Sequence, residues 1–365
     1  MTEARGEEQR LKRIGIMTFL HNDNYGSSLQ AYALQRALRE MGWEAEHIDY
    51  LPDQGEKVRN LISSGNSPKL ILEGLRKRSV RAGQAGARAK NQAIPEFYAR
   101  RMRLSPVCRN HRELRAVSGK YDLLLCGSDQ IWNPVWLNPA YFLDFAAPGQ
   151  RKAAYAASLG VRELGDERKR KKIRRLTTGF EGISVREAEG AALLKEITGR
   201  ECAVMPDPVC LLTREQWSEV ADAGTGDAAH SGAETKRDMP YLICYFIGEH
   251  AKYWTRVREL AEETGLQVRV IPVTAESYSA GYPLMDGLGP EGFLSAIRDA
   301  KCLCTDSFHG LVFGTVFGVR TELLRRYRED DPESKNSRVD HFLRQMEERS
   351  LEDLRMEGLR WLEKL

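Results

Sequence analysis

The residues best suited to chemistry sit in TDSFHG, 305–310, between the strand-like run KCLC and the apolar run LVFGTVFGV. Asp306 and Ser307 are residue types that cap helix N-termini, and Gly310 lets a ligand approach the backbone. A helix start presents unbonded N–H groups and the positive end of its dipole, which together favour phosphate or carboxylate. His309 would stand at that anion site, able to give or take a proton near neutral pH. The same spacing also fits a loop histidine that only caps or packs. A second group lies in ISVRE, 183–187, where Arg186 follows a strand end. Its planar fork suits bidentate binding of carboxylate or phosphate, whereas with Glu187 it would make a surface ion pair.

Two further loops are dense in polar side chains. GSDQIWNP, 127–134, offers Ser128, Asp129, Gln130 and Asn133 to a hydroxyl-rich ligand and the Trp132 indole to a sugar ring. The other reading is a loop closed by Asx capping with Trp132 in the core. HNDNYGSSLQAYAL, 21–34, places Asn24, Tyr25 and Gly26 where a phosphate or sugar could be cradled. That loop lacks the GxxxxGK[ST] spacing of a P-loop, and a GxGxxG dinucleotide fingerprint is expected neither here nor elsewhere in the chain, which argues against hydride transfer.

The elements that must position these loops alternate between apolar strands and helical stretches, as in an α/β protein with a parallel sheet. RIGIMTF (13–19) reads as a strand, HNDNYGSS as a polar loop, and LQAYALQRALREM as a helix stopped by Gly42. AEHIDY, YDLLLCG, KAAYAASLG and GISV read as strands; CAVMPDPVCLL reads as a strand that leaves through two prolines. RKRSVRAGQAGARAK (76–90) is expected to be an exposed helix or a mobile segment. A second series runs through YLICYFIG, the helix YWTRVRELAEETG, QVRVIPV, PEGFLSAIRDA and KCLC. The expected division is a Rossmann-like half over 13–221, on the acceptor side. A linker or insertion follows over 222–240, then a second Rossmann-like half over 241–325, on the donor side, and a helical segment over 326–365. Ligands of such sheets bind beyond the carboxyl ends of the strands.

Composition agrees with an ordinary globular enzyme: 365 residues, 42% hydrophobic, 29% charged. A net charge of only +3 makes the whole molecule a poor nucleic-acid binder. No run of about 18 apolar residues occurs. MTEARGEEQRLKR at the start lacks an apolar stretch, so a cytoplasmic protein is expected. The basic run RKRKKIRR, 168–175, reads as a solvated helix face; contact with anionic lipid head groups, at about 1 kcal/mol per basic residue, is the other account and would make the protein peripheral to the inner membrane surface. The seven cysteines fit reduced, buried thiols. A metal site on Cys302 and Cys304 would need ligands that nothing nearby supplies, so metal-independent chemistry is predicted.

Taken in order, NYGSSLQAYAL, YDLLLCGSDQIWNP, YFLDFAAPGQRKAAYAASLG, ISVREAEG, the DP of MPDPVCLL, TDSFHGLVFGTVFGV and NSRVDHFL resemble the polysaccharide pyruvyl transferase family from about Ile14 to Leu343. The resemblance implies a fold similar to GT-B glycosyltransferases, with the active site between the halves. It places the essential histidine at His309 and the donor-binding arginine at Arg186. Ser307, Phe308, Gly310, Asn336 and Arg338 fall near the donor, and the NYG and GSDQ loops fall on the acceptor wall. It implies phosphoenolpyruvate as co-substrate, no further cofactor, and a sugar acceptor of a bacterial surface polymer, free or lipid-linked. Leu311 stands where the family commonly has a small or hydroxyl residue, and DPV replaces the usual DPT. Rival expectations are a nucleotide-sugar glycosyltransferase on the same architecture and a non-catalytic sugar-binding module.

Overall fold

The computed structural model describes residues 12–64, 85–224, 239–327 and 337–365. The charged amino-terminal stretch, most of RKRSVRAGQAGARAK, most of the 222–240 segment and Asn336 lie outside the described residues.

The first half is built on six parallel strands in the order β2-β1-β3-β4-β5-β6. They are β1 (Arg13–Met17), β2 (Glu44–His47), β3 (Leu123–Cys126), β4 (Arg151–Ala157), β5 (Gly182–Val185) and β6 (Ala203–Val204). Its helices are α1 (Tyr25–Glu40), α2 (Gln54–Ser64), α3 (Ala85–Arg101), α4 (His111–Ser118), α5 (Glu167–Leu176), α6 (Ala188–Thr198) and α7 (Arg214–Asp222). The second half has four parallel strands in the order β10-β9-β7-β8: β7 (Tyr241–Tyr245), β8 (Gln267–Ile271), β9 (Cys302–Thr305) and β10 (Arg320–Leu323). With it go α8 (Ala251–Thr264), α9 (Ala275–Tyr278), α10 (Pro290–Arg298), α11 (Phe308–Phe317), α12 (Ser337–Glu348) and α13 (Leu351–Leu362). Strands such as LLLC and YLICY are apolar throughout because helices cover both faces of a parallel sheet. In each sheet the strand order reverses beside the first strand, at β1/β3 and at β7/β9, which is where such sheets open a crevice.

Three local expectations change. The first helix starts at Tyr25 rather than Leu29, because Asn24 caps it by accepting from the Gly26 N–H at 2.9 Å. Its polar first turn is buried but satisfied: Ser27 Oγ donates to Asp129 and Ser28 Oγ lies 2.8 Å from the Tyr98 hydroxyl. The predicted strand CAVMPDPVCLL shrinks to Ala203–Val204, since Pro206 and Pro208 end pairing and Asp207 caps a 3-10 turn over Pro208–Leu211. A GxGxxG spacing does occur, at Gly287, Gly289 and Gly292, yet it follows no strand directly, β8 having ended at Ile271. Its Glu291 is buried against Arg101, whose Nε lies 2.8 Å from Oε1, and Arg100. It ties the halves together instead of cradling a dinucleotide.

The two halves share a core. Tyr25 of α1 stacks on Phe293 of α10 at 4.6 Å and donates its hydroxyl to the Leu288 carbonyl at 2.8 Å. The apolar cluster around this contact runs from α1 and α3 into β7, β9, α10 and α11. The carboxyl-terminal helix α13 returns to the first sheet, burying Leu362 beside Ile14, Tyr155 and Leu211. No described helix is long and apolar enough to cross a membrane.

Candidate active site

The TDSFHG segment turns from β9 into α11 as its cap residues dictate, though the two capping candidates divide the work. Ser307 is the N-cap and accepts from the Gly310 N–H at 3.3 Å. Asp306 instead faces the exit of β7, accepting from the Ile247 and Gly248 N–H groups at 2.7 and 2.8 Å and from Arg326 Nε at 3.0 Å. His309 is thereby held in the first turn of α11, 6% exposed. Its Nε2 lies 3.4 Å from Asp207 Oδ2, in ion-pair range but without hydrogen-bond geometry. Its other nitrogen, Nδ1, abuts the first turn of α1, where a Cβ on Gly26 would stand 2.1 Å away. Gly310 meets a somewhat looser limit, with a Cβ there falling 2.6 Å from Thr305 Oγ1.

Arg186 leaves the end of β5 and is 3% exposed, so it is not half of a surface pair. Nη1 binds Asp207 Oδ2, Nε lies 3.5 Å from Glu187 Oε1, and Cζ sits 4.8 Å from the Phe308 ring centre. Two edges of the fork are therefore occupied by protein carboxylates. Nη2 is buried without a hydrogen-bond partner, so one nitrogen rather than the bidentate edge expected from sequence is left unpaired. Glu187 is fixed in turn by Ser158 Oγ at 2.5 Å, and Asp207 by the Val209 N–H at 3.0 Å.

Arg338 arrives from the first turn of α12. Its Cζ lies 5.7 Å from the same Phe308 ring, and Gln130, with its amide carbonyl facing α12, accepts from its terminal nitrogens at 2.9 and 3.1 Å. Its Nε is buried and unpartnered. Burial and the neighbouring Arg186 charge push the Arg338 guanidinium down to about 10, with Glu187 and Asp129 acting the other way. Both guanidinium groups thus lie against the Phe308 ring, and the Arg186 charge acts on Arg338, a repulsion that a nearby anion would relieve.

The carboxylates are held ionised against burial. Burial alone would raise Asp207, but the charges of His309 and Arg186 and the Val209 N–H keep it well below the usual carboxylate range. Asp129 follows the same balance: burial raises it, while Arg186, His309, the Ser27 hydroxyl and Arg338 outweigh burial and lower it. For Arg186 the loss of solvation would favour deprotonation, and Asp207, Glu187 and Asp129 reverse that.

The acceptor-side residues separate into two groups. Asp129, at φ 73°, and Gln130 reach the site, and Gly26 touches His309. Trp132 does not: it is fully buried, stacks on Phe142 at 4.8 Å and donates its indole N–H to the Tyr141 carbonyl. Ser128 is spent on the Ala156 carbonyl, Asn133 caps the 3-10 turn Pro134–Trp136, Asn24 caps α1, and Tyr25 belongs to the shared core. The exposed indole of this rim is that of Trp136, 42% exposed, with its N–H 3.3 Å from the Gln130 carbonyl. Cys302 and Cys304 lie buried in β9 as free thiols. Sequence reasoning missed Asp207, Glu187 and Ser27 as site residues. The DP dipeptide was visible as a motif, but nothing local in it points to His309.

The family model of polysaccharide pyruvyl transferase matches residues 24–321. Among curated proteins no sequence relative matches. Solved structures of similar fold include a UDP-GlcNAc 2-epimerase from Neisseria meningitidis bound to UDP-GlcNAc. It has a TM-score of 0.50 and 11% identity, over 95% of this chain and 94% of that one. The S. aureus MnaA–UDP co-structure has a TM-score of 0.51 and 12% identity, over 96% of this chain and 91% of that one. At such identity the likeness concerns the fold, an α/β pair of Rossmann-like halves in a GT-B-like arrangement. The matched span runs from the Asn24 cap into β10 and holds Gly26, Asp129, Arg186, Asp207 and His309; with it, the chain belongs to the polysaccharide pyruvyl transferase family.

Proposed function

We propose that the protein moves the enolpyruvyl carbons of phosphoenolpyruvate onto two hydroxyls of one sugar in a bacterial surface polysaccharide or its precursor. The product is a pyruvate ketal, and phosphate is released. The observation that carries this reading is the pair of guanidinium groups, Arg186 and Arg338, on the Phe308 ring beside His309, each with a buried nitrogen lacking a partner. A small trianion bearing carboxylate and phosphate matches such a site. The first turn of α11 adds its N–H groups and dipole.

In this reading His309 delivers a proton to the methylene carbon, with Asp207 as the counter-charge behind its Nε2. The carbon that bears phosphate becomes electrophilic, and one sugar hydroxyl bonds to it. The C–O bond to phosphate then breaks with its electron pair leaving on phosphate, and the second hydroxyl closes the ketal. Two hydroxyl protons are lost; one replaces the proton given to carbon, the other leaves with phosphate. Asp129 orients the attacking hydroxyl and takes its proton after the new C–O bond has made that proton acidic, a task open to a weak base. A placed general acid contributes about 10²–10⁴ in rate, and the fixed cations contribute on a similar scale. As proposed, the reaction draws on no cofactor beyond phosphoenolpyruvate.

The test is thermal unfolding with phosphoenolpyruvate or with a panel of nucleotide sugars, for the protein and for Arg186→Ala and Arg338→Ala. A ligand of the folded state at 100 times its Kd stabilises by about 2.7 kcal/mol. A shift with phosphoenolpyruvate that both variants lose is expected, followed by phosphate release when an acceptor sugar is added. Stabilisation by a nucleotide sugar alone would replace this reading with glycosyl transfer.

A further inference from the structure

The rim of the first half carries an exposed apolar strip beside a cationic one, and neither belongs to the site. On α2, Val58 and Ile62 are 54% and 77% exposed, one helical turn apart on the same face. This helix packs beside the 3-10 turn Pro134–Trp136, whose Val135 and Trp136 are each 42% exposed. Isolated apolar residues on a surface need no explanation, but four large ones on two adjoining elements form a patch.

The neighbouring helix α5 supplies the charge. Its Ile173 and Leu176 are buried, while Arg170 is bonded to Glu196 at 2.6 Å and Arg174, itself exposed, to the Ile197 carbonyl at 2.5 Å. Arg168, Lys171 and Arg175 remain exposed at spacings i, i+3 and i+7, on one stripe of the helix. Among the described residues none of these three has a carboxylate within ion-pair distance. Helices α2 and α5 both flank the 134–145 segment: Ile173 and Leu176 of α5 share a core with Leu137, Phe142 and Phe145, and His111 lies 3.8 Å from Glu56 of α2 and 3.1 Å from Asp144. Lys57 and Arg59 on α2 are exposed as well.

We propose that this face docks on the surface of an anionic lipid bilayer. Val58 and Ile62 would enter the boundary between head groups and acyl chains, and the Arg168–Lys171–Arg175 stripe would lie against the head groups. An acidic protein would complement the charge but leave the apolar strip without purpose, whereas a charged bilayer surface matches both. Docking would bring the candidate site near the head groups, because the Trp136 N–H reaches the Gln130 backbone carbonyl and the Gln130 amide reaches Arg338. An acceptor sugar carried on a membrane lipid would meet the site there. The docking itself does not depend on which donor the site takes.

The experiment is co-sedimentation of the full chain with vesicles of phosphatidylcholine alone and of phosphatidylcholine mixed with phosphatidylglycerol, at low and at high salt. Binding to the anionic vesicles is expected, weakened by salt because the interaction is screened. The triple variant Arg168→Glu, Lys171→Glu, Arg175→Glu should partition at least about a hundredfold less, the loss of three basic residues counting about fivefold each and the added carboxylates acting the same way. Ile62→Asp, an exposed position, should also weaken binding, with thermal unfolding of both variants unchanged as the control for folding. Absence of binding to anionic vesicles at low salt overturns the proposal. So does equal binding to neutral vesicles, or undiminished binding by Ile62→Asp and the triple variant.

Discussion

Gly26 lies against His309 so closely that a Cβ on the glycine would stand 2.1 Å from Nδ1 and 2.3 Å from Cγ of the imidazole. The two residues come from the first turns of α1 and α11, one in each half. The contact therefore joins two helix N-termini, each the positive end of a dipole, at the histidine. The ring is held between Gly26 on one side and Asp207 on the other, which fixes its orientation without a hydrogen bond to either.

Gly26→Ala should displace the ring, since the neighbour on that side is the imidazole itself. Overpacking of this kind costs about 1–3 kcal/mol, and a displacement near 1 Å costs about 10² in rate. Thermal unfolding and phosphoenolpyruvate-dependent phosphate release measure the two effects. A Gly26→Ala protein with undiminished turnover would show that the working geometry differs from this contact.

His309→Ala should lower turnover by about 10²–10⁴ while leaving the secondary structure unchanged. His309→Asn should do no better, because an amide keeps hydrogen bonding but supplies no acid. The phosphoenolpyruvate-induced shift in Tm should survive in both, since the guanidinium groups remain. Turnover near that of the parent protein in either variant removes the histidine from the chemical step.

Asp207→Asn should cost about 3–5 kcal/mol near neutral pH, because Arg186 stays buried without its main counter-charge. The pH dependence follows from the depressed carboxyl of Asp207, where burial is outweighed by the His309 and Arg186 charges. A group whose folded value is lowered stabilises fully above its ordinary value, about 3.9, and loses that contribution as pH falls through the folded one. The stability gap between Asp207→Asn and the parent protein should therefore be wide at neutral pH and narrow below about pH 4. Denaturant titrations across that range measure it, and a constant gap contradicts the assignment.

Trp132→Ala should behave as a core truncation, with a loss of about 3–5 kcal/mol, because the indole stacks on Phe142 out of solvent. Trp136→Ala should leave stability nearly unchanged, as the residue is 42% exposed. If Trp132→Ala melts like the parent protein and fails only with sugar acceptors, the indole is a ligand platform after all.

Much of this architecture is legible along the chain because its causes are local. Apolar runs such as LLLC and YLICY announce strands buried on both faces, and Ser307 before an apolar run announces the start of α11. A histidine in the first turn after a strand reads as a candidate anion site from sequence alone, and the ordered motifs point to the family. Even the early start of α1 had its signal in Asn24, an N-cap residue two positions before the N–H that it accepts from.

The sequence by itself determined the alternation of strands and helices, the capped turn that carries His309 and the presence of an arginine at the exit of β5. Only the tertiary structure decided which of these groups meet. Asp207 faces His309 across the seam between the halves, Arg338 reaches the Phe308 ring from a helix beyond the second sheet, and α13 folds back to the first sheet. Trp132 and Trp136 stand four positions apart with opposite fates, one in the core and one on the rim. Caps, glycines and apolar periodicity act over a few neighbouring residues and so can be read from them. Burial and ion pairing depend on what the chain brings up from far away, and no local pattern records that.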